Sequence, residues 1–459
     1  MWGWSFVLLA GIFLWLASRQ GPRYALGTTI FLSLLVPAWA VMGYQIRSLG
    51  FQPLGIPIDM RVAAGFLGML ACCLRPQSLL PVRMVMVDFL LLMLMAAHVF
   101  SDWSHEGFSY VLILRSFGEW AVPYLVGRFS IRDVQDVKRL LPFAASVTFV
   151  LAVLAVAESI TRCNLPELLF DERPVDNMAR MMLRWDFKRA YCVANHPIFF
   201  GALLLLLSPW AYYATYRKAR QSQPRGVLIA IVVTAGIVAT LSRGPIFAWA
   251  IMLYLATILT WPSYRKWLLG AAGLAALLMA LQFESTLSTL HLISGESQRK
   301  RAQTINIDGQ LREHSGTLTR IYLLEVYGDA IRKAGLLGFG TDRVTGFPVR
   351  VPVGPELADT FKKVPWIDNV YVLLILRFGY LGVTVFTLLG IAGVVGFSLE
   401  SLTRESGYVF YALMAGAIAA TMLLMLTVWM PRDFGFMYLF SVGASAGLRA
   451  ERLLASTNR

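Results

Sequence analysis

Charge is scarce in this chain. Only 15% of its 459 residues are Asp, Glu, Lys or Arg, against 57% hydrophobic, and the mean hydropathy is +0.61. A soluble protein of this length needs more charge to cover its surface, so a water-soluble globule is excluded. Acid is scarcer than base, with 27 Asp and Glu against 41 Lys and Arg and a formal charge of +14. That balance does not require a nucleic-acid partner, because Lys and Arg collect in short cytoplasmic loops of membrane proteins. There is no low-complexity tract, no soluble domain and no convincing internal repeat. No basic region precedes the first apolar stretch, so it does not read as a cleaved signal peptide. Of the four cysteines, Cys72 and Cys73 lie in an apolar run, where they read as small packing residues.

What the chain does have is apolar runs of roughly 17–25 residues, the length that crosses ~30 Å of hydrocarbon. They predict an all-α polytopic membrane protein with spans near 4–17, 26–43, 58–74, 84–100, 108–126, 140–159, 197–216, 226–241, 245–261, 267–282, 367–397, 407–429 and 434–448. The first is short enough to be interfacial, so the bundle has about 12–13 transmembrane helices. "SRQGPR", "RPQSLLPVR", "GRFSIRDVQDVKR", "YRKARQSQPR" and "PSYRK" are basic and fall on one side, which the positive-inside rule makes cytoplasmic. "SDWSHEG", "SRGP" and "MPRDFG" fall on the other, with two long loops. The organisation expected is 1–160, N-terminal spans; 161–196, a first outer loop; 197–282, central spans; 283–366, a large outer loop containing helices; and 367–459, C-terminal spans. Cys163 and Cys192 bracket the first loop, and a disulfide closing it is expected if that side is oxidising, two free thiols being the alternative.

The candidate chemistry lies on the outer side. In "TLSRGPIFAWAI", Pro245 suits a first helical turn and Ser242 or Gly244 can cap it, so a helix start with free N–H groups faces outward beside the Arg243 guanidinium. That combination binds phosphate; the plainer reading is an arginine snorkelling to headgroups. At "RAYCVANHPIFFG", a basic cluster (Arg189 with Arg184 and Lys188 just upstream) and then His196 precede Pro197, which opens another span. In "SGTLTRIYLLEVYGDAIRKAGLLGFGTD", Thr317 or Thr319 can cap a helix ending near Ala334, with Arg320 in its first turn and Gly335 stopping it. Ile321, Leu324, Gly328 and Ile331 share one side of it and are expected to pack. "GLLGFG" follows a helix rather than a strand and lacks a phosphate-loop lysine, so it reads as a turn. In "VPWIDNVYVLLILRFGYLGV", Asp368 and Asn369 stand at a span's outer entry, where Asp368 can serve as a helix cap. Asp368 and Tyr371 share a face, whereas Arg377 is a half-turn round and roughly 13 Å deeper. Arg377 is an intramembrane charge and so a candidate functional residue. Arg115 and Glu119, four apart, are expected to pair.

The order of these four motifs and their common membrane side resemble the O-antigen ligase and polysaccharide polymerase superfamily, bacterial inner-membrane glycosyltransferases, over roughly residues 185–385. The resemblance implies a GT-C-like bundle in the inner membrane with a periplasm-facing site and neither cofactor nor required metal. It implies an undecaprenyl-diphosphate-linked glycan as donor and a sugar hydroxyl as acceptor, with inversion at the anomeric carbon. Arg243 and Arg320 match the family's arginine positions and are assigned to the diphosphate. Many members begin the last motif with histidine; here the position is Asp368, which can accept or orient the hydroxyl proton, with His196 and His314 as alternative bases. Arg189, Ser242, Asn369, Tyr371 and Arg377 complete the expected substrate site. The variants present favour a polymerase of lipid-linked repeat units over a ligase to lipid A-core, and membrane lipids and a chain-length regulator are the further partners implied. The rival from another class is a flippase or transporter of lipid-linked sugars, which would call for repeated halves or paired broken helices; neither is apparent.

Overall fold

The structure, a computed structural model, describes residues 2–40, 59–74, 83–170, 183–219, 225–282, 303–307, 310–314, 318–341, 343–344 and 367–457. Nearly all of it is helix. The helices are α1 (Trp2–Gln20), α2 (Pro22–Ser33), α3 (Met60–Cys73), α4 (Met86–Glu106), α5 (Tyr110–Ser116), α6 (Val122–Ser130), α7 (Val134–Thr161), α8 (Leu165–Phe170), α9 (Pro197–Ala219), α10 (Arg225–Ala239), α11 (Arg243–Thr260), α12 (Pro262–Leu281), α13 (Leu318–Lys333), α14 (Val370–Leu402), α15 (Tyr408–Leu424) and α16 (Arg432–Thr457). Two antiparallel hairpins, β1–β2 (Leu183–Arg184, Phe187–Lys188) and β3–β4 (Gln303–Ile307, Gln310–His314), lie in the two long loops. Among the described residues, α4, α7, residues 197–217 of α9, α11 and α14 are long and apolar enough to cross a membrane; α3, most of α10 and α15 are shorter apolar helices. The chain is a helical membrane protein.

The bundle has two chemically different ends. At one, Arg404 donates to the Thr260 carbonyl at 2.8 Å, Arg83 to that of Leu453 at 2.9 Å, and Arg452 pairs with Glu400 at 3.0 Å. Arg83 belongs to one predicted basic loop and Thr260 ends α11 just before another, "PSYRK". At the other end gather α8, both hairpins, α13 and the starts of α9, α11 and α14. Between them the closest packing is of α6 on α16, where Gly127 and Gly443 leave no room for a Cβ against the opposing backbone. Small residues permit that approach where lipid offers no hydrophobic drive. At the basic-loop end of this pair the buried Asp88 carboxylate accepts from Tyr124 Oη at 2.7 Å and Arg128 Nε at 3.0 Å, tying α4 to α6.

Two helices are irregular where the sequence predicts continuous spans. The 108–126 span is α5 and α6 joined through a π-helical turn, Phe117–Ala121. In α14, Gly379 has φ +67°, outside helical geometry, and splits the helix just after Arg377. The freed backbone groups find partners in the segment read as a simple turn. Phe339 N–H donates to the Leu376 carbonyl at 2.7 Å and Gly340 N–H to that of Arg377 at 3.0 Å. In return Tyr380 and Leu381 N–H donate to Gly335 and Leu336 at 3.0 and 3.2 Å. Gly338, at φ +75°, abuts the backbone around Arg377 and Gly379 abuts Leu336, so neither site has space for a side chain. "GLLGFG" is therefore a plug seated in a helix break.

Candidate functional site

The turn after α15 organises the long-loop end. Asn369 Nδ2 donates to the Leu426 carbonyl at 2.9 Å and Val370 N–H to that of Met425 at 3.0 Å, while a Cβ added at Gly244 would lie 2.8 Å from Leu424. The starts of α11 and α14, 127 residues apart in sequence, thus rest on one turn. Beside it Trp429 packs edge-on against Phe199, ring centroids 5.5 Å apart, and Phe199 against His196 at 5.3 Å. Three of the four motifs converge here. The fourth arrives on α13, whose buried stripe of Leu323, Tyr327, Ala330 and Ala334 packs on Val372, Leu373 and Leu376 of α14. That stripe corrects part of the expected one: Ile331 packs as expected, but Leu324 is exposed and nothing lies against Gly328, because Leu323 with Tyr327 buries more apolar surface than Leu324 with Gly328 could. Arg320 lies in the first turn of α13, and His314 ends β4 opposite Gln303. Thr317 lies outside the described residues.

Arg243 is the first residue of α11. Ser242 holds the N-cap position without capping: its hydroxyl donates to the Thr240 carbonyl at 3.0 Å and accepts from Arg189 Nη2 at 2.8 Å. The preceding Leu241 is held at φ +46°, rare for a branched residue, and its carbonyl accepts from Arg184 Nη1 at 2.7 Å. So the helix start carries no side-chain cap, a positive dipole end and the motif arginine, with Arg184 and Arg189 bracing the turn behind it. Lys188 leaves the predicted basic cluster: buried, it pairs with Glu158 at 3.0 Å.

Several expected roles are reassigned. Asn369, not Asp368, caps α14: its Oδ1 accepts from Tyr371 and Val372 N–H at 2.9 and 3.1 Å, and its Nδ2 is taken by Leu426. Tyr371 turns its hydroxyl to the Met422 carbonyl at 2.9 Å, because its side of the helix faces α15. Both side chains are thus hydrogen-bonded within the protein. Asp368 precedes the cap, half-buried. His196 caps α9, its Nδ1 accepting from Ile198 N–H at 3.2 Å, so the neutral ring carries its proton on Nε2. Arg377 anchors the plug, its Nε donating to the Val344 carbonyl at 2.7 Å. Arg115 pairs with Asp102 of α4, Nη1 to Oδ2 3.6 Å, rather than with Glu119; the wider π-helical turn after α5 displaces Glu119 from the i, i+4 face. Cys163 and Cys192 are both free. Cys192 is buried with its carbonyl on Asn164 Nδ2 at 3.0 Å and its N–H on Glu158 at 2.8 Å, so polar contacts close the loop, and Cys163 is exposed. Burial, then the Glu158 charge, push the Cys192 thiol well above its ordinary pKa. Cys72 is buried as expected, whereas Cys73 is exposed.

The residues overlooked lie on α4. "SDWSHEG" is largely helix, not loop, and His98, Ser101, Asp102 and His105 form one stripe at i, i+3, i+4, i+7. Each clasps the plug or the break. Ser101 Oγ donates to the Arg377 carbonyl at 2.5 Å and His105 Nε2 to that of Gly338 at 2.9 Å, while Asp102 Oδ1 accepts from Thr341 N–H at 2.7 Å. His98, fully buried, accepts from Trp120 of the π-helical turn at Nδ1, 2.8 Å, and its Nε2 lies 3.2 Å from Asp102 Oδ2. Arg115 carries this network to a largely apolar cavity of about 420 Å³ between α1, α3, the π-helical turn and α16. Met430, Pro431 and Arg432, which follow Trp429, line the same cavity, which reaches Leu439 on α16, seven residues or ~10 Å along the axis. No metal-holding group of His, Cys, Asp or Glu is found among the described residues. The chain matches no protein-family model, and no curated protein is similar to it.

Proposed function

We propose that the long-loop end is the active site of a membrane glycosyltransferase of GT-C-like build that uses a polyprenyl-diphosphate-linked glycan. The observation that carries this reading is the continuity of the Leu424–Arg432 segment, whose first part supports the cationic start of α11 and whose last part lines the apolar cavity. A donor with a dianionic head and a long hydrocarbon tail needs those two environments side by side.

The acceptor hydroxyl oxygen bonds to the anomeric carbon as that carbon's bond to the diphosphate oxygen breaks, inverting configuration. The electron pair leaves on the polyprenyl diphosphate, where Arg243, the dipole end of α11 and Arg320 meet the growing charge. The acceptor's proton goes to a base. His196 is poorly suited, because its Nδ1 lone pair is used in the α9 cap and its Nε2 carries hydrogen. Asp368 has no capping duty and stands beside the turn that carries α11, so the carboxylate is the preferred base, with His314 as the alternative. The reaction calls for no metal or cofactor. Polymerisation of lipid-linked repeat units is favoured over ligation to lipid A-core, at the periplasmic face of a bacterial inner membrane.

One observation favours a second reading. The α14 break and the π-helical turn adjoin, Trp120 lying 6.3 Å from Phe378, and broken helices side by side are a transporter feature. The lipid-linked glycan pool of host cells lacking the protein separates the readings. Single repeat units accumulating on the outer side mean polymerase, and full-length chains stranded on lipid mean ligase. Units trapped on the cytoplasmic side mean a flippase, and an unchanged pool overturns the assignment.

A further inference from the structure

A second cavity, of about 450 Å³, lies at the opposite, basic-loop end and has no part in the proposed reaction. It is formed where α7, the end of α9 and the α14–α15 connection meet. Lys138, Arg217 and Arg404 line it, with Glu405 as the acid. Glu405 is engaged elsewhere, its Oε1 3.5 Å from Arg452 Nη2. Arg404 is fixed by the Thr260 carbonyl at 2.8 Å, with its guanidinium 5.9 Å from the Tyr408 ring centroid. Among the described residues neither Lys138 nor Arg217 forms an ion pair. The remaining wall is aromatic: Tyr213 and Tyr216 stack at 6.5 Å and 18°, and the Tyr216 and Tyr408 hydroxyls are 3.4 Å apart. Into the same cavity opens the start of α15, where Gly407 supplies no side-chain cap.

Cations scattered over loop tips satisfy the charge rule for orientation; here three surround one concavity between helices, over aromatic walls at the depth where helices end. Basic pockets of this kind hold phosphorylated lipid headgroups. We infer that the cavity lined by Lys138, Arg217 and Arg404 binds the headgroup of an acidic phospholipid. Three cations exceed the charge of one phosphodiester, so a headgroup with two phosphates is preferred over one. This site stands independently of the glycosyltransferase reading.

The test is native mass spectrometry of the purified full chain titrated with cardiolipin, phosphatidylglycerol, phosphatidylcholine and inorganic diphosphate. Cardiolipin is expected to bind tightest, and Lys138→Gln with Arg217→Gln to weaken it about 30-fold, at about 1 kcal/mol for each basic residue. Arg217→Lys keeps the charge and is expected to retain binding, which with an unchanged unfolding temperature separates lost affinity from lost fold. Equal retention of all three lipids, or a double variant that binds cardiolipin like the parent, overturns the site. Inorganic diphosphate binding as tightly as cardiolipin overturns the lipid source and makes it a soluble-phosphate site.

Discussion

The starts of α11 and α14 rest on one turn, and yet they are built differently. α14 is closed: Asn369 spends its carbonyl on two N–H groups and its amide on Leu426, and Tyr371 is turned to α15. α11 is open: Ser242 occupies the cap position but serves Thr240 and Arg189 instead, leaving the dipole end without a side-chain cap next to Arg243. Side by side, the closed start supplies rigidity and the open one supplies a helix dipole end without a side-chain cap. A site that stabilises developing charge needs both, since donors help only when they are already held in place.

The largest effect that would break this contrast is expected at the open start. Arg243→Lys should lower turnover about 100-fold in proteoliposomes supplied with lipid-linked donor, because a point charge replaces a planar fork. Near-parental turnover in a folded variant would make α11 as inert as α14. Next comes the break behind the closed start. Gly379→Ala forces a Cβ into the Leu336 backbone at positive φ and should cost about 3 kcal/mol, read as a lower unfolding temperature by tryptophan fluorescence. An unchanged midpoint would mean that the plug is not seated there. Asn369→Ala should cost about 1 kcal/mol, the worth of a cap, with little change in turnover of the folded fraction, and Asn369→Asp should recover only part of the loss, because a carboxylate caps but cannot donate to the Leu426 carbonyl. If turnover falls instead while stability holds, Asn369 belongs to the chemistry and the contrast fails. The smallest effect is expected in the loop behind α11. Cys163 should react with maleimide at neutral pH and Cys192 should not until the protein is unfolded, since its raised pKa keeps it a thiol until well above neutrality. Cys163→Ser should leave activity unchanged; a disulfide found by mass spectrometry would reverse the assignment of the loop.

Much of the candidate site was legible because helix starts have local signatures. Pro245 and Pro197 mark where α11 and α9 begin, and both were placed at one end of the bundle from charge in the short loops. Which residue caps was not legible: Asp368 and Asn369 are adjacent, equally good caps, and the choice falls to the reach of Asn369 to Leu426. The α4 stripe had a signal, four polar residues at helical spacing, but ending the span near residue 100 hid it. Its meaning required a partner more than 230 residues away, Gly338 and Thr341 on the plug.

By itself the sequence determined the helical class, the apolar segments and the starts of the helices that carry its motifs. Apolar length and charge asymmetry are properties of single segments, and hydrocarbon accepts no backbone that is not hydrogen-bonded. The tertiary structure alone decided where that rule is met by another segment. A helix broken at Gly379 is viable only because the plug supplies the missing partners, and Arg115 meets Asp102 only because a π-helical turn rotates Glu119 away. Both depend on groups brought together by packing, which no local pattern encodes.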